Sequence, residues 1–252
     1  MEQQGAIEQA VIFAGGSGER LRPLTNDLPK PLAPINGVPF LDYLLEALQT
    51  IGIKRVLLLL GYKADKVMEY YDGLNLEGKI NIDYSVGKAE DLTGRRLINA
   101  YTQLEEEFLL MYGDNYWPIE WRDMLSLYRT KGVLAMTTVF NNRQGTGEYG
   151  CENNIAVKSD NMVIRYDKSR KSPGLNGVDI GFFIMNKMVV PLHCAQNISF
   201  EEVVLPKLAQ AGQLAAHLTD RQYYYITDMS SLQRFEHFAA ENKIRYRKGS
   251  RA

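Results

Sequence analysis

Residues 10–25 read AVIFAGGSGERLRPLT. An apolar, β-branched run stops at Gly15 and Gly16, a third glycine follows Ser17, and Arg20 and Arg22 come next. AVIFA (10–14) has the character of a buried strand. Successive glycines let backbone N–H groups point into one concavity, and the turn that follows adds partial positive charge. The stretch reads as a strand feeding an anion-binding loop or, on its glycines alone, as a plain tight turn. Two common phosphate loops are excluded. GxxxxGK[ST] is absent, and the dinucleotide fingerprint fails where Leu21 replaces its third glycine.

The same strand-then-loop pattern repeats downstream. Residues 39–52 are an amphipathic helix, with Phe40, Tyr43, Leu44, Ala47 and Leu48 on one face and Gly52 near its end. RVLLLLG (55–61) is a continuous apolar run, as in a strand buried on both faces. Helices are expected at 65–73, 93–105 and 121–132, and strands at 80–86, 107–114 and 133–140. This alternation predicts an α/β fold: a Rossmann-like, mostly parallel sheet sandwiched by helices. Ligands of such sheets bind beyond the carboxyl ends of the strands, so the loops 15–25 and 113–117 should open on one edge. Further on, a hairpin is expected at 155–169, a strand at 178–186, a helix starting at Ser199, two strands within 214–227 and a last helix at 229–242. The basic tail IRYRKGSRA (244–252) reads as frayed. Without repeats or a linker, the chain reads as one domain, 1–252.

Charge narrows the partners. Lys+Arg number 29 and Asp+Glu 30, a net charge of -1, so nothing global attracts nucleic acid or an anionic membrane. An anionic ligand must be held by a local cluster of cations. No run approaches the length of a membrane span, and the N-terminus lacks the basic and apolar regions of a secretory signal. Cys151 and Cys194 lie far apart and read as reduced thiols of a cytoplasmic protein. His193, His217 and His237 have no partner pattern.

Longer motifs sharpen the first loop. Gly15-Gly16-Ser17-Gly18-Glu19-Arg20-Leu21-Arg22-Pro23-Leu24-Thr25, followed by Pro29-Lys30-Pro31-Leu32, resembles the opening of the sugar-1-phosphate nucleotidylyltransferases, G-G-x-G-x-R-L-x-P-L-T then P-K-P-[LM]. Gly113-Asp114-Asn115, Tyr166-Asp167-Lys168, Gly177 to Gly181, and Ser199-Phe200-Glu201 with Leu205-Pro206-Lys207-Leu208 extend the resemblance to about residue 240.

The resemblance implies a nucleotidyltransferase fold of glycosyltransferase-A-like type, with a nucleotide-binding part at about 8–140 and a sugar-phosphate-binding part at about 145–242. It implies the reaction of an NTP with a sugar 1-phosphate to give an NDP-sugar and pyrophosphate. Catalysis of such a step is mainly positioning and charge neutralisation. The implied roles are residue by residue. Ala14, Gly15, Gly16, Ser17 and Gly18 cradle the nucleotide, joined by Thr93, Gly94 and Asp114. Arg20 and Lys30 are catalytic, holding the phosphates. Asp114 ligates Mg²⁺, a hard cation that prefers oxygen donors. Lys168, Asp179 and Glu201 bind the sugar phosphate. The implied partners are the two substrates, with no nucleic acid and no membrane; homo-oligomerisation stays open.

Two stretches depart from the family pattern. Its second metal-binding Asp should stand at Tyr225, and Asp228, three residues on, is the candidate replacement. In Glu90 to Leu97 the T-G-x-R-L form resembles glucose-1-phosphate cytidylyltransferases, whereas residues 26–41 resemble mannose- and heptose-1-phosphate guanylyltransferases. The base is therefore unassigned. Arg95 either reaches a phosphate or caps a carbonyl. Two alternatives stand beside the main reading: a cytidylyltransferase for a small phosphorylated alcohol such as phosphocholine, with Tyr116 and Trp117 as its cation cage, and a non-catalytic nucleotide-sugar sensor.

Overall fold

The computed structural model describes residues 6–72, 80–242 and 244. In the first half, β1 is Gln9–Phe13, β2 Pro34–Ile35, β3 Val38–Pro39, α1 Phe40–Thr50, β4 Arg55–Leu60, α2 Ala64–Asp72, β5 Asn81–Val86, α3 Thr93–Asn99, β6 Glu107–Tyr112, β7 Asn115–Tyr116 and α4 Trp121–Lys131. In the second half, β8 is Ala135–Phe140, β9 Ile155–Val157, β10 Val163–Tyr166, β11 Val178–Asn186, α5 Leu205–Gln210, β12 Leu214–Thr219, β13 Tyr224–Tyr225 and α6 Met229–Glu241. Residues 245–252 of the expected tail and the last residue of the 65–73 helix lie outside the described residues.

Seven strands form the central sheet in the order β12-β8-β11-β6-β1-β4-β5. All run parallel except β11, which is antiparallel to both β6 and β8. The period-two geometry of a strand sends successive side chains to opposite faces. Ile12, Val56 and Leu58 therefore join Phe40, Leu44, Met124 and Phe235 in one core, while Val11, Leu57 and Leu59 join Leu97, Leu205 and Leu208 in the other. Leu57 is fully buried, and truncating such a leucine to alanine costs about 2–5 kcal/mol. The fold is the helix-sheet-helix sandwich expected from the alternation of the sequence.

Differences are local. The helix expected over 93–105 ends at Asn99, and a single turn, Tyr101–Gln103, carries the chain into β6. The expected hairpin forms as β9 and β10 outside the main sheet, and β13 pairs with β7 rather than extending the sheet. The reversed β11 matters most for function. Because it runs against its neighbours, its first residues, Val178 and Asp179, lie where the parallel strands end, opposite Phe140 and Val139.

Candidate active site

The carboxyl ends of the parallel strands border a cleft of about 860 Å³, lined by residues from Phe13 to Thr227. One wall is the glycine loop. Gly18 has φ 64, a left-handed conformation that favours glycine, and its carbonyl accepts from the Thr25 hydroxyl at 2.8 Å. A Cβ on Gly16 would meet nothing within 4 Å, so this backbone faces open space. Gly15 is a glycine for a different reason: its Cβ would stand 2.4 Å from Nη1 of Arg96.

That guanidinium holds the strand ends together. It donates to the carbonyls of Leu60 (2.5 Å), Gly15 (3.3 Å), Lys88 (3.0 Å) and Ala89 (3.2 Å). Arg96 is only 5% exposed, and burial lowers its pKa.

The cations converge on the cleft beside this loop. Lys30, in a short turn after Pro29, places Nζ 2.7 Å from Asp114 Oδ2. Arg20 lies 3.7 Å from Glu148, whose carboxylate also accepts from the Thr227 hydroxyl at 2.7 Å. Burial raises the pKa of Glu148, and Asp114 adds to the effect; the Thr227 bond, Arg20 and Lys30 oppose it.

The other end of the cleft is built from hydroxyls and carboxylates. Asp179 accepts from the Thr137 hydroxyl (2.7 Å), the Tyr166 hydroxyl (3.2 Å) and the Gly181 amide (3.0 Å). Burial nevertheless raises its pKa to about 6. Glu201 Oε2 accepts from Thr93 (2.7 Å) and Ser199 (2.8 Å). Lys168 Nζ stands 3.5 Å from Glu202 and 4.0 Å from Glu201. Its turn is shaped by Asp167, which accepts from the amides of Ser169, Lys171 and Ser172; hydrogen bonds from Ser169 and Ser172 hold its pKa well below the usual range.

The cleft thus brings together Ala14, Gly15, Gly16, Ser17, Gly18, Arg20, Lys30, Thr93, Asp114, Lys168, Asp179 and Glu201. Two expected residues are elsewhere. Gly94 does not line it: a Cβ there would stand 2.8–2.9 Å from Ile198, so this glycine lets α3 approach the 198–200 segment. Asp228 is the N-cap of α6. Its carboxylate accepts from Ser231 N at 2.8 Å and does not line the cleft, because the chain turns into the helix there. It is not placed to be the second metal ligand. Arg95 donates to the carbonyls of Cys194 and Gln196, the capping alternative. Tyr116 and Trp117 are buried in the core, so they form no cage for a choline-like cation.

The sequence reading gave no role to Arg96, Glu148 or Tyr112. Glu148 carried a weak signal, an acid between glycines in T-G-E-Y-G. Arg96 is the arginine of the T-G-x-R-L form, and no spacing rule marks Tyr112. Cys151 and Cys194 are free thiols, and His217 pairs with Glu120 at 2.9 Å. No helix among the described residues is long and apolar enough to cross a membrane.

The cleft thus carries a glycine loop with two cations at one end and a set of hydroxyls and carboxylates at the other. Residues 9–236 match the family model described as nucleotidyl transferase, and the chain belongs to that family. It is 32% identical over 232 residues to a probable glucose-1-phosphate cytidylyltransferase of Bacillus subtilis, covering 83% of this chain and 87% of that protein. It is 29% identical over 238 residues to a D-glycero-alpha-D-manno-heptose 1-phosphate guanylyltransferase of Campylobacter jejuni, covering 93% and 100%. Among solved structures, HddC from Yersinia pseudotuberculosis has the same fold, with a TM-score of 0.75 at 24% identity over 92% of this chain and 99% of that one.

Proposed function

We propose that this nucleotidyltransferase joins an NTP to a sugar 1-phosphate, releasing pyrophosphate. The carrying observation is the pairing of two unlike ends in one cleft: Gly15–Arg20 and Lys30 on one side, Lys168 with Asp179, Glu201 and Thr93 on the other. The glycine loop and its cations suit the triphosphate, and Lys168 suits the phosphate of the sugar. Held between them, an oxygen of the sugar phosphate attacks the α-phosphorus in line. A new P–O bond forms, the bond to the β-phosphate oxygen breaks, and the electron pair leaves with pyrophosphate. Arg20 and Lys30 neutralise the charge that develops on it.

The family resemblance also implies Mg²⁺, and the donor chemistry fits. Asp114 and Glu148 both bring carboxylate oxygens to the cleft beside Lys30 and Arg20. These two residues would hold the ion, which would supply positive charge to the phosphate oxygens.

The test is pyrophosphate release with Mg²⁺, ATP, GTP, CTP, UTP or dTTP, and a panel of sugar 1-phosphates that includes those of glucose, mannose and D-glycero-D-manno-heptose. One active pair fixes base and sugar together. Silence across the panel with intact nucleotide binding sinks the catalytic reading and favours the sensor.

A further inference from the structure

The sugar end of the cleft contains one buried hydroxyl that closes no hydrogen bond among the described residues. The hydroxyl of Tyr166 is committed to Asp179, that of Thr137 to Asp179, and those of Thr93 and Ser199 to Glu201. The hydroxyl of Tyr112, another cleft-lining residue, is buried and makes no hydrogen bond among the described residues. A buried hydroxyl left unpaired costs about 1–3 kcal/mol, so its retention in a site calls for a partner.

The ring that carries this hydroxyl is fixed. It stacks on Phe13 with centroids 5.9 Å apart and meets Phe183 edge-on at 5.7 Å. It also lies directly on the backbone of Gly181, where a Cβ would stand 2.0 Å from Cδ2 of Tyr112. Gly181 has φ +80 and sits at the irregularity of β11. The donor is therefore pre-positioned rather than adjustable.

An acceptor stands close by without closing the bond. After burial itself, the Glu201 carboxylate is the largest influence raising the Tyr112 pKa, by its charge and by a hydrogen-bonding approach to the hydroxyl that falls short of a closed bond of normal length and angle. Both hydroxyls that Glu201 accepts arrive at Oε2; Oε1 has no hydrogen-bond partner among the described residues. Tyr112 and Glu201, which both line the cleft, thus leave one donor and one acceptor without a closed hydrogen bond among the described residues. A single alcohol group satisfies both, accepting from the phenol and donating to the carboxylate. A deoxy carbon satisfies neither, and an ammonium group has no lone pair for the phenol.

We propose that Tyr112 is a specificity-determining residue whose hydroxyl, together with Glu201 Oε1, reads one unmodified hydroxyl of the bound sugar. This rests on the sugar-phosphate reading of the cleft. It selects substrates that carry a free alcohol at that ring position over their deoxy or amino congeners.

The test is direct binding by titration calorimetry, without turnover, to wild-type protein and Tyr112→Phe. The probes are glucose 1-phosphate, mannose 1-phosphate and D-glycero-α-D-manno-heptose 1-phosphate, then the monodeoxy congeners of the tightest binder. Wild type should discriminate against one deoxy position by about tenfold or more. Tyr112→Phe should bind the parent sugar about tenfold more weakly, bind nucleotide unchanged, and discriminate less than about twofold at that position. Its melting temperature without ligand should not fall, because no internal hydrogen bond is lost. Equal sugar affinity in the two proteins, discrimination that survives the substitution, or a drop of several degrees in melting temperature overturns the role of Tyr112 and leaves the sugar-phosphate reading intact. Failure of all three sugar phosphates to bind wild type overturns that reading, and this inference with it.

Discussion

Lys30 and Asp114, 84 residues apart in sequence, meet across the cleft with Nζ 2.7 Å from Oδ2. The lysine side chain is 14% exposed and the aspartate 36%, so the pair is shielded but reachable. Lys30 is thereby held beside the glycine loop, where a triphosphate can exchange for the carboxylate as its partner. Lys30→Ala should lower kcat/KM for pyrophosphate release by about 10²–10³-fold, the scale of losing one preorganised charge-stabilising group. Steady-state kinetics with a melting curve checks it. A loss below fivefold would remove Lys30 from the chemistry.

Arg96 supports a prediction about stability first and activity second. Four carbonyls from three segments end on its guanidinium. Removing it leaves buried acceptors unpaired, at about 1–3 kcal/mol each. Arg96→Ala should therefore destabilise the protein by roughly 3 kcal/mol or more, and nucleotide affinity should fall with it because the glycine loop loses its anchor. Gly15→Ala should do the same from the other side, since its Cβ would also stand 2.9 Å from the Gly61 amide nitrogen. Urea unfolding of both variants measures this. A Gly15→Ala protein as stable as wild type would contradict the packing.

The strand–helix alternation was legible because buried parallel strands leave continuous apolar runs such as 55–60, and amphipathic helices leave a helical period. The phosphate loop was legible because its residues are contiguous. Glu148, Arg96 and Tyr112 were not, because their roles arise from contacts between distant segments: Glu148 with Thr227, Arg96 with Leu60, Tyr112 with Gly181. Asp228 shows the converse. An acid at a plausible spacing was read as a ligand, although Asp followed three residues later by Ser is also a helix start. Gly94 was likewise read as a nucleotide contact when Ile198 is what requires it.

Asp179 predicts a pH dependence. Burial raises its pKa from 3.8 to about 6 against the hydrogen bonds that favour the anion. The folded protein then holds more protons than the unfolded chain between these values. The stability this group confers is fully present below about pH 3.8 and is lost as pH rises through about 6, with a total on the order of 3 kcal/mol. Asp179→Asn removes the titration. The stability of Asp179→Asn relative to wild type should rise across pH 4 to 6.5 and level off above. Urea midpoints of the two proteins at matched pH values give the difference, and a difference constant across the range would exclude the raised pKa.

Asp228 and Glu148 make opposite predictions. The Asp228 side chain caps α6, and Ser231 Oγ accepts in return from the Asp228 amide at 2.9 Å, a reciprocal capping box. Asp228→Ala should cost about 1 kcal/mol of stability and leave kcat within about twofold, since nothing it touches lines the cleft except through Thr227. Glu148 instead faces Arg20 inside the cleft, with its backbone N–H donating to the Tyr223 hydroxyl at 2.9 Å. Glu148→Gln keeps the volume and an oxygen acceptor for Thr227 but deletes the charge. It should raise the Mg²⁺ concentration needed for half-maximal pyrophosphate release by about tenfold or more while changing the melting temperature little. Titrating Mg²⁺ against activity in the two variants separates them. If Asp228→Ala shifted the Mg²⁺ requirement and Glu148→Gln did not, the metal-facing acid would have to be reassigned to the residue that caps the helix.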